Sequence, residues 1–549
     1  MSNMSNKIIF SPESSIGNVS AETDDEFLFK CFVDHPALAS IRDMGNAKMF
    51  LLGSTGVGKT AFLRMIEKNE NAKFLELQEL SMSYLSNSDT IQFLRKIDVD
   101  ISFFLQALWR HVICIELIKM ATNIEGQSDA KGFLSKLFNR GQEDATRKFF
   151  LDFVEKNQGN FWNTIDETVI EVANRLEKDI NAEFGVEIQK ASARAGYSRG
   201  LSEEKKTQFQ QRAKKFVNPS LLAELSKVIN GLSQYLSERP DKYYILIDGL
   251  DEHWIEPEIK NTIIHCLFEA CKGLRKIRNL KVVVSIRNDV YEKMNMEYPP
   301  SQGQLEKNED YIVRIKWTRE QLWELVEKRI GHLYRWKYTK DNVHFVDLFK
   351  TSYDNKKRSW VYIVERSLMR PRDVIKYVNF CFSTAEGKSE ISKTDFRNAE
   401  KVYSDDRLEA LISEWSPVFP GISIILNLLS NRATYFQISD FCHTKFVEEL
   451  ALIFAENEAA QRDQMWGIIE DAVKADGSFD PLEFCREIFH RLHLVGAVGL
   501  KLSSSSAWHW VHLTHKPIPK NSITTDTKAT IHPMLWRAFE NTETKEHKS

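Results

Sequence analysis

Over the first 335 residues, apolar positions follow two rhythms that alternate along the chain. Short, almost continuous apolar runs at 48–52 (KMFLL), 243–247 (YYILI), 280–286 (LKVVVSI) and 311–317 (YIVRIKW) predict buried β-strands. Between them lie segments of helical period. TAFLRMIEK follows the first strand, and NTIIHCLFEACKGLRKI stands between the second and third. TREQLWELVEKRIGHLY, opened by a Thr cap, follows the fourth. Strands alternating with helices predict a parallel α/β sheet with helices on both faces. Between about Phe74 and Pro240 the pattern is mainly helical, as in SFFLQALWRHVICIELIKM and WNTIDETVIEVANRLEKDINAEF, and it reads as an insertion into the sheet domain.

Beyond 335 the rhythm changes. Residues 336–415 are helical only and contain the loop SLMRPRDVIKYVN. After Ser416 come helices in GISIILNLLS, KFVEELALIFAENEAA and LEFCREIFHRLHL, then VGAVGLKLSSSSAWHWVHLTH, which reads as two strands around a Ser-rich turn. Helices closed by a hairpin predict a winged-helix-like domain. The expected organisation is a flexible leader at 1–25, a sheet core at 26–335 with its helical insertion at about 75–240, a helical lid at 336–415 and the winged-helix-like domain at 416–549. No internal repeat of solenoid period is present.

Composition narrows the class. At 549 residues the chain has room for about three or four domains. With 74 Lys+Arg against 77 Asp+Glu there is no global basic field for nucleic acid or membrane, so any such contact has to be local. The seven cysteines are scattered, without zinc spacing, which fits a reducing compartment. The longest apolar segment, 418–429, is interrupted by Pro, Gly, Ser and Asn, so no membrane span is expected. The N-terminus lacks the pattern of a secretory signal, and a cytoplasmic location is expected.

The chemistry begins at Gly53-Ser54-Thr55-Gly56-Val57-Gly58-Lys59-Thr60, a phosphate-loop pattern placed between a buried strand and a helix. Glycines let the backbone turn its N–H groups toward a β-phosphate, and the following helix presents its positive end to the same charge. Lys59 would bridge the β- and γ-phosphates, and the Thr60 hydroxyl would coordinate Mg²⁺. A metal-side carboxylate is then needed from a neighbouring strand end. Asp248, after four apolar residues, supplies it. Asp251 and Glu252 follow, placed to polarise or position an attacking water, and the spacing does not choose between them.

Phosphoryl transfer spreads negative charge over the γ-phosphoryl oxygens and calls for cations. Arg287, with Asn288, closes the strand KVVVSIR, where a third core strand would meet the nucleotide. Arg370 and Arg372 flank Pro371 on a loop that opens a helix, from which a lid could fold back on the phosphates.

Together, GSTGVGKT, YYILIDGLDE, VVVSIRND and SLMRPRDVIKYVN resemble bacterial P-loop ATPases of the AAA+/STAND branch, which includes NACHT-like and KAP-like proteins, and most nearly the large ATPases of anti-phage defence loci. The resemblance covers roughly residues 25–415. It implies an α/β P-loop NTPase core, ATP and Mg²⁺ as cofactors, and a molecular switch controlling a partner effector or sensor protein. It also implies that Arg287 is a first phosphate sensor, that Pro371 lies against the adenine, and that Arg370 or Arg372 is a second sensor. Many relatives complete the site with a neighbouring subunit, so a homo-oligomer is expected. The departure from the pattern is the long helical insertion between the two motifs, which has no counterpart in a minimal core.

Two alternatives follow from the same residues. One is an ATP-dependent DNA-binding or loading protein, using the C-terminal domain or the basic stretch at 190–215, which otherwise reads as a solvated loop. The other is a nucleotide-gated scaffold with little turnover. His265, Cys266 and Cys271, and Cys442 with His443, read as packing residues and not as a metal site.

Overall fold

The computed structural model describes residues 9–75, 101–122, 220–237, 239–252, 257–298, 307–337, 343–349, 358–474, 480–514 and 516–541, with Leu77 and Lys178. The basic stretch at 190–215 and, apart from Lys178, the expected helix at 162–184 lie outside the described residues. The chain forms two compact units, Asp34–Ile315 and Met1–Val33 with Lys316–Ser549.

In the first unit, β1 (Phe50–Leu52), β2 (Ala72–Leu75), β3 (Tyr243–Ile247), β4 (Leu280–Ile286) and β5 (Ile312–Arg314) form one sheet in the order β2-β3-β4-β1-β5. Every pairing is parallel, with Phe50 opposite Val284 and Ile312, and Ile245 opposite Val282. Parallel strands need crossovers, and helices provide them. α1 (Pro36–Arg42) precedes β1, and the crossovers contain α2 (Lys59–Asn69), α3 (Ser102–Thr122), α4 (Ser220–Ser237), α5 (Pro257–Leu274) and α6 (Asn288–Glu297).

Side-chain alternation divides the strands between two faces. Phe50, Leu52, Ile245, Ile247, Val282 and Val284 join one buried cluster with Leu105 and Trp109 of α3 and Ile263 and Leu267 of α5. Trp109 Nε1 donates to the Ile263 carbonyl at 3.1 Å, so the largest ring of α3 carries no unsatisfied polar atom into the core. The other face is covered by α2 through Phe62, Leu63 and Ile66, all fully buried. Burial on both faces is why β3 and β4 read as continuous apolar runs.

Two expectations change here. β2 was not anticipated: Ala72-Lys73-Phe74-Leu75 buries only Leu75 fully, as befits an edge strand, and Phe74 opens no helix. The stretch expected as an insertion also contributes to the core, because α3 and α4 are packed into the same cluster as β3 and α5.

The second unit is mainly helical. It contains α7 (Arg319–Lys337), α8 (Arg358–Glu365), α9 (Pro371–Thr384), α10 (Lys393–Trp415), α11 (Ile422–Asn427), α12 (Thr444–Ala455), α13 (Gln464–Lys474) and α14 (Pro481–Leu494). Because the units divide at Ile315, α7 belongs with the helices that follow it and not with the sheet.

Residues 9–25, expected to be loose, are tied to these helices. Phe10 exchanges backbone bonds with Lys388 (2.9 Å) and Gly387 (2.8 Å), and the Asn379 side chain bonds the backbone of Ile16 and Gly17. Asp24 meets Arg329 of α7 at 2.5 Å, both almost fully buried. A polar segment resists fraying when its backbone groups find partners, whatever its composition.

After α11 the chain makes a small antiparallel sheet from β6 (Tyr435–Gln437), β7 (Val498–Lys501) and β8 (Lys528–Ile531), in the order β6-β8-β7. One helix, one strand, three helices and two strands give a winged-helix-like succession. The expected hairpin partner of β7 is different, however. Residues 507–510 pair with β7 by backbone through the isolated Leu500–His509 bridge and form no strand, and Val511–Thr514 is a short helix. The indole of Trp510 lies so close over Gly499 that a Cβ there would sit 2.5 Å from it. The alternation in AWHWV therefore marks rings laid across β7, and the strand that pairs with β7 is Lys528–Ile531.

Candidate functional site

Sheet order sets the stage for the phosphate loop. β1 lies between β4 and β5, and β4 separates it from β3, so the carboxyl ends of β1, β4 and β3 stand side by side. In open parallel sheets ligands bind outside such strand ends. Gly53 leaves β1 with its N–H bonded to the Ile286 carbonyl of β4 at 3.3 Å. A Cβ on Gly53 would meet the Val57 side chain at 2.5 Å, so the tight turn requires glycine there. Gly56 and Gly58 have positive φ (78° and 98°), which side-chain-bearing residues rarely adopt.

Gly58 is the N-cap of α2, leaving the first N–H groups of that helix facing the loop. Lys59 folds its ammonium back onto the loop, donating to the Gly53 carbonyl at 3.0 Å and the Ser54 carbonyl at 3.3 Å. Thr60, one residue into the helix, donates its hydroxyl to Asp248 Oδ2 at 2.6 Å, across 188 positions of sequence.

Asp248 is the first residue beyond β3. Its other carboxylate oxygen accepts from the Gly249 N–H at 3.0 Å, so the side chain is held from both sides. Gly249 has φ 75°, and the Glu252 N–H closes the turn on its carbonyl at 3.0 Å. The turn brings the Glu252 carboxyl back over Gly249, where an added Cβ would lie 3.3 Å from it.

Arg287 caps α6 at the end of β4 and is held by two carboxylates. Asp289 accepts from Nε and Nη2, both at 2.9 Å, and Asp251 accepts from Nη1 at 3.2 Å. Next to it, Asn288 Nδ2 reaches Ser54 Oγ of the phosphate loop at 3.3 Å, tying the β4 end to the β1 end. Lys260 of α5 donates to the Glu252 carbonyl at 2.8 Å. Burial pulls its ammonium below the ordinary lysine range, with Asp251 acting against that shift and Arg287 adding to it.

Within the first unit, therefore, Gly53 to Thr60, Asp248, Asp251, Glu252 and Arg287 lie at the carboxyl ends of adjacent strands of one sheet. Asp289 and Lys260 were missed by the sequence reasoning. Asp289 was visible two positions after Arg287 in the same motif, whereas nothing in the spacing singled out Lys260 from other helix lysines.

Arg370, Pro371 and Arg372 belong to the second unit. Met369 has φ 54°, Arg370 is the N-cap of α9 and Pro371, buried, is its first residue, a position where a missing N–H costs nothing. Asp373 fixes the loop from below, accepting from the Leu368 N–H at 3.0 Å and from Arg407 at 2.8 Å. The two arginines differ. Arg370 lies 3.7 Å from Glu414, while Arg372 has a buried Nε with no hydrogen-bond partner among the described residues. Burial lowers the Arg372 pKa, against Asp373 and with Arg407 and Arg370.

As a donor set, Thr60 and Asp248 offer a hydroxyl and a carboxylate oxygen, the ligand chemistry that suits a hard divalent cation such as Mg²⁺. A backbone N–H cradle, a lysine and an arginine beside them suit a polyphosphate. The parallel α/β sheet is compatible with an NTPase fold.

Residues 320–412 match the FunZ-associated C-terminal helical domain. The chain is also similar to the putative transposon gamma-delta 80.3 kDa protein of Escherichia coli (strain K12), at 25% identity over 316 residues, 57% of this chain and 42% of that protein. A shorter likeness, 28% over 142 residues, links 25% of this chain to 72% of allergen Alt a 2 of Alternaria alternata. The chain thus spans less than half the length of the transposon protein that it matches. None of the helices among the described residues is long and apolar enough to cross a membrane.

Proposed function

We propose that the protein is a Mg²⁺-dependent ATPase of the P-loop class that works as a switch on a partner protein, in a bacterial host as the ATPase component of an anti-phage defence system. The observation that carries the ATPase reading is the Thr60–Asp248 contact, because it brings together, across 188 positions, the hydroxyl and the carboxylate that would hold a metal ion in this reading. In this reading the loop N–H groups and Lys59 bind the phosphates. Thr60 and Asp248 would hold magnesium, which would supply charge neutralisation to the phosphates. Glu252 orients and deprotonates the attacking water, and Arg287 stabilises charge on the γ-phosphoryl group.

A second reading, ATP-controlled DNA handling, takes support from the transposon protein to which the chain is similar. The charge pattern of α14 weighs against a DNA face there. Arg486 pairs with Glu483, Arg491 with Asp463 and Glu487, and Lys520 with Glu483 and Glu487, so those cations are already matched by acids.

Steady-state ATP hydrolysis by wild type and Lys59→Ala, with and without added duplex or single-stranded DNA, separates the readings. Turnover independent of DNA and lost in Lys59→Ala fits the partner-controlled switch. Turnover stimulated by DNA moves the assignment to DNA handling, and measurable wild-type turnover that persists undiminished in Lys59→Ala overturns the ATPase reading.

A further inference from the structure

The two acids after Asp248 are not equivalent, and their contacts divide the work between them. Glu252 is turned back over Gly249, with its backbone carbonyl anchored by Lys260. Asp251 instead accepts from Arg287 Nη1. The grip on Arg287 is itself uneven. Asp289 makes two parallel bonds of 2.9 Å from the same helix that Arg287 caps, a bidentate arrangement that sets the plane of the guanidinium. Asp251 makes a single, longer bond of 3.2 Å from a different strand end and is the more exposed of the two carboxylates, 34% against 14%.

The position of Arg287 gives this unevenness a consequence. β4 lies between β1 and β3, and Asn288 reaches Ser54, so Arg287 stands at the strand end between the phosphate loop and the Asp248 turn, with Nη1 on Asp251. In the nucleotide-site reading, the terminal phosphate is the group that would call on Arg287 from the loop side. Asp251 holds the Nη1 bond that such a phosphate would take.

We infer that Asp251 is a specificity-determining residue that competes with a γ-phosphoryl group for Arg287 Nη1 and so lowers affinity for nucleoside triphosphate relative to diphosphate. Asp289 keeps its two bonds in both states and holds the guanidinium in plane while the Asp251 bond is exchanged. The competition is between two anions for one donor, so removing the charge of Asp251 favours the triphosphate and leaves the diphosphate, which does not reach Nη1, unaffected. The inference rests on the nucleotide-site reading above.

The test is equilibrium binding of ADP and of the non-hydrolysable adenosine 5′-(β,γ-imido)triphosphate, with Mg²⁺, to full-length wild type, Asp251→Asn, Arg287→Ala and the double variant. Asp251→Asn is expected to bind the triphosphate analogue about three- to tenfold tighter while ADP affinity stays within about twofold, the scale of one partly exposed ion pair. In the Arg287→Ala background the same substitution is expected to shift neither ligand. Equal shifts for both nucleotides, weaker triphosphate binding in Asp251→Asn, or a shift that persists without Arg287 would overturn the inference. If wild type binds but Asp251→Asn is unchanged, the inference alone fails. If wild type binds neither nucleotide, the site reading fails with it.

Discussion

Thr60 Oγ1 donates to Asp248 Oδ2 at 2.6 Å, and neither residue has a sequence neighbour that could bring it there. Thr60 is set by the helix that follows β1, and Asp248 by the end of β3, with β4 between their strands. If this pair is the oxygen-donor set of a metal–triphosphate site, Asp248→Asn and Thr60→Ala should each lower Mg²⁺-dependent ATP turnover by about a hundredfold or more, with Thr60→Ser close to wild type. Initial rates at saturating ATP check this. Turnover in Asp248→Asn within a few-fold of wild type would remove the carboxylate from the site.

Glu252 is assigned the water, and its amide should show it. Glu252→Gln is expected to reduce turnover by about 10²- to 10⁴-fold, the usual range for a lost general base, while ATP still binds. Single-turnover hydrolysis beside a binding titration separates the two effects. Loss of binding equal to the loss of rate would make Glu252 a structural residue of the Gly249 turn.

The N-terminal segment is held by a buried charge pair, and its release is measurable. Burial raises the Asp24 pKa, and the Arg329 contact opposes that rise. Asp24→Ala leaves Arg329 buried without its carboxylate, at a cost of about 3–5 kcal/mol. The melting temperature should fall, and residues 9–25 should become accessible to protease before the rest of the second unit. Unchanged cleavage would mean that the backbone bonds of Phe10 and Ile16 hold the segment unaided.

Acid should loosen the C-terminal domain through its histidines. His493 is fully buried, with Nδ1 3.1 Å from the Val498 carbonyl and Nε2 3.1 Å from His509. Burial lowers its pKa to about 4, opposed by the Val498 carbonyl and reinforced by His509, and burial holds His532 well below the ordinary histidine range. In the unfolded chain both titrate near 6.5. Between pH about 6.5 and about 4 the unfolded state therefore binds protons that the folded state does not, and stability declines as pH falls, by up to about 3 kcal/mol for His493. Thermal unfolding at pH 7.5, 6 and 5 should follow this slope. His493→Gln should flatten it, and an unflattened slope would place the acid sensitivity elsewhere.

What could be read from the sequence was what depends on local pattern. KMFLL, YYILI and LKVVVSI are buried on both faces, so their apolar runs are almost continuous. The glycines of the phosphate loop sit where backbone geometry admits little else. Ala72–Leu75 escaped notice because an edge strand of four residues needs little apolar surface. AWHWV misled because rings crossing a sheet alternate as strand residues do. The fixed N-terminal segment, the division of labour between Asp251 and Glu252, and the role of Lys260 depend on partners 8 to more than 300 positions away, and spacing alone carries none of that information.

The most direct test of the account is the binding of ATP to wild type and Lys59→Ala, each with Mg²⁺ and with the metal chelated, because it does not depend on whether hydrolysis waits for a partner. The account predicts saturable binding by wild type that weakens at least about tenfold when Mg²⁺ is removed and is lost in Lys59→Ala. Equal binding by wild type and Lys59→Ala, or no binding by wild type in any condition, would contradict it.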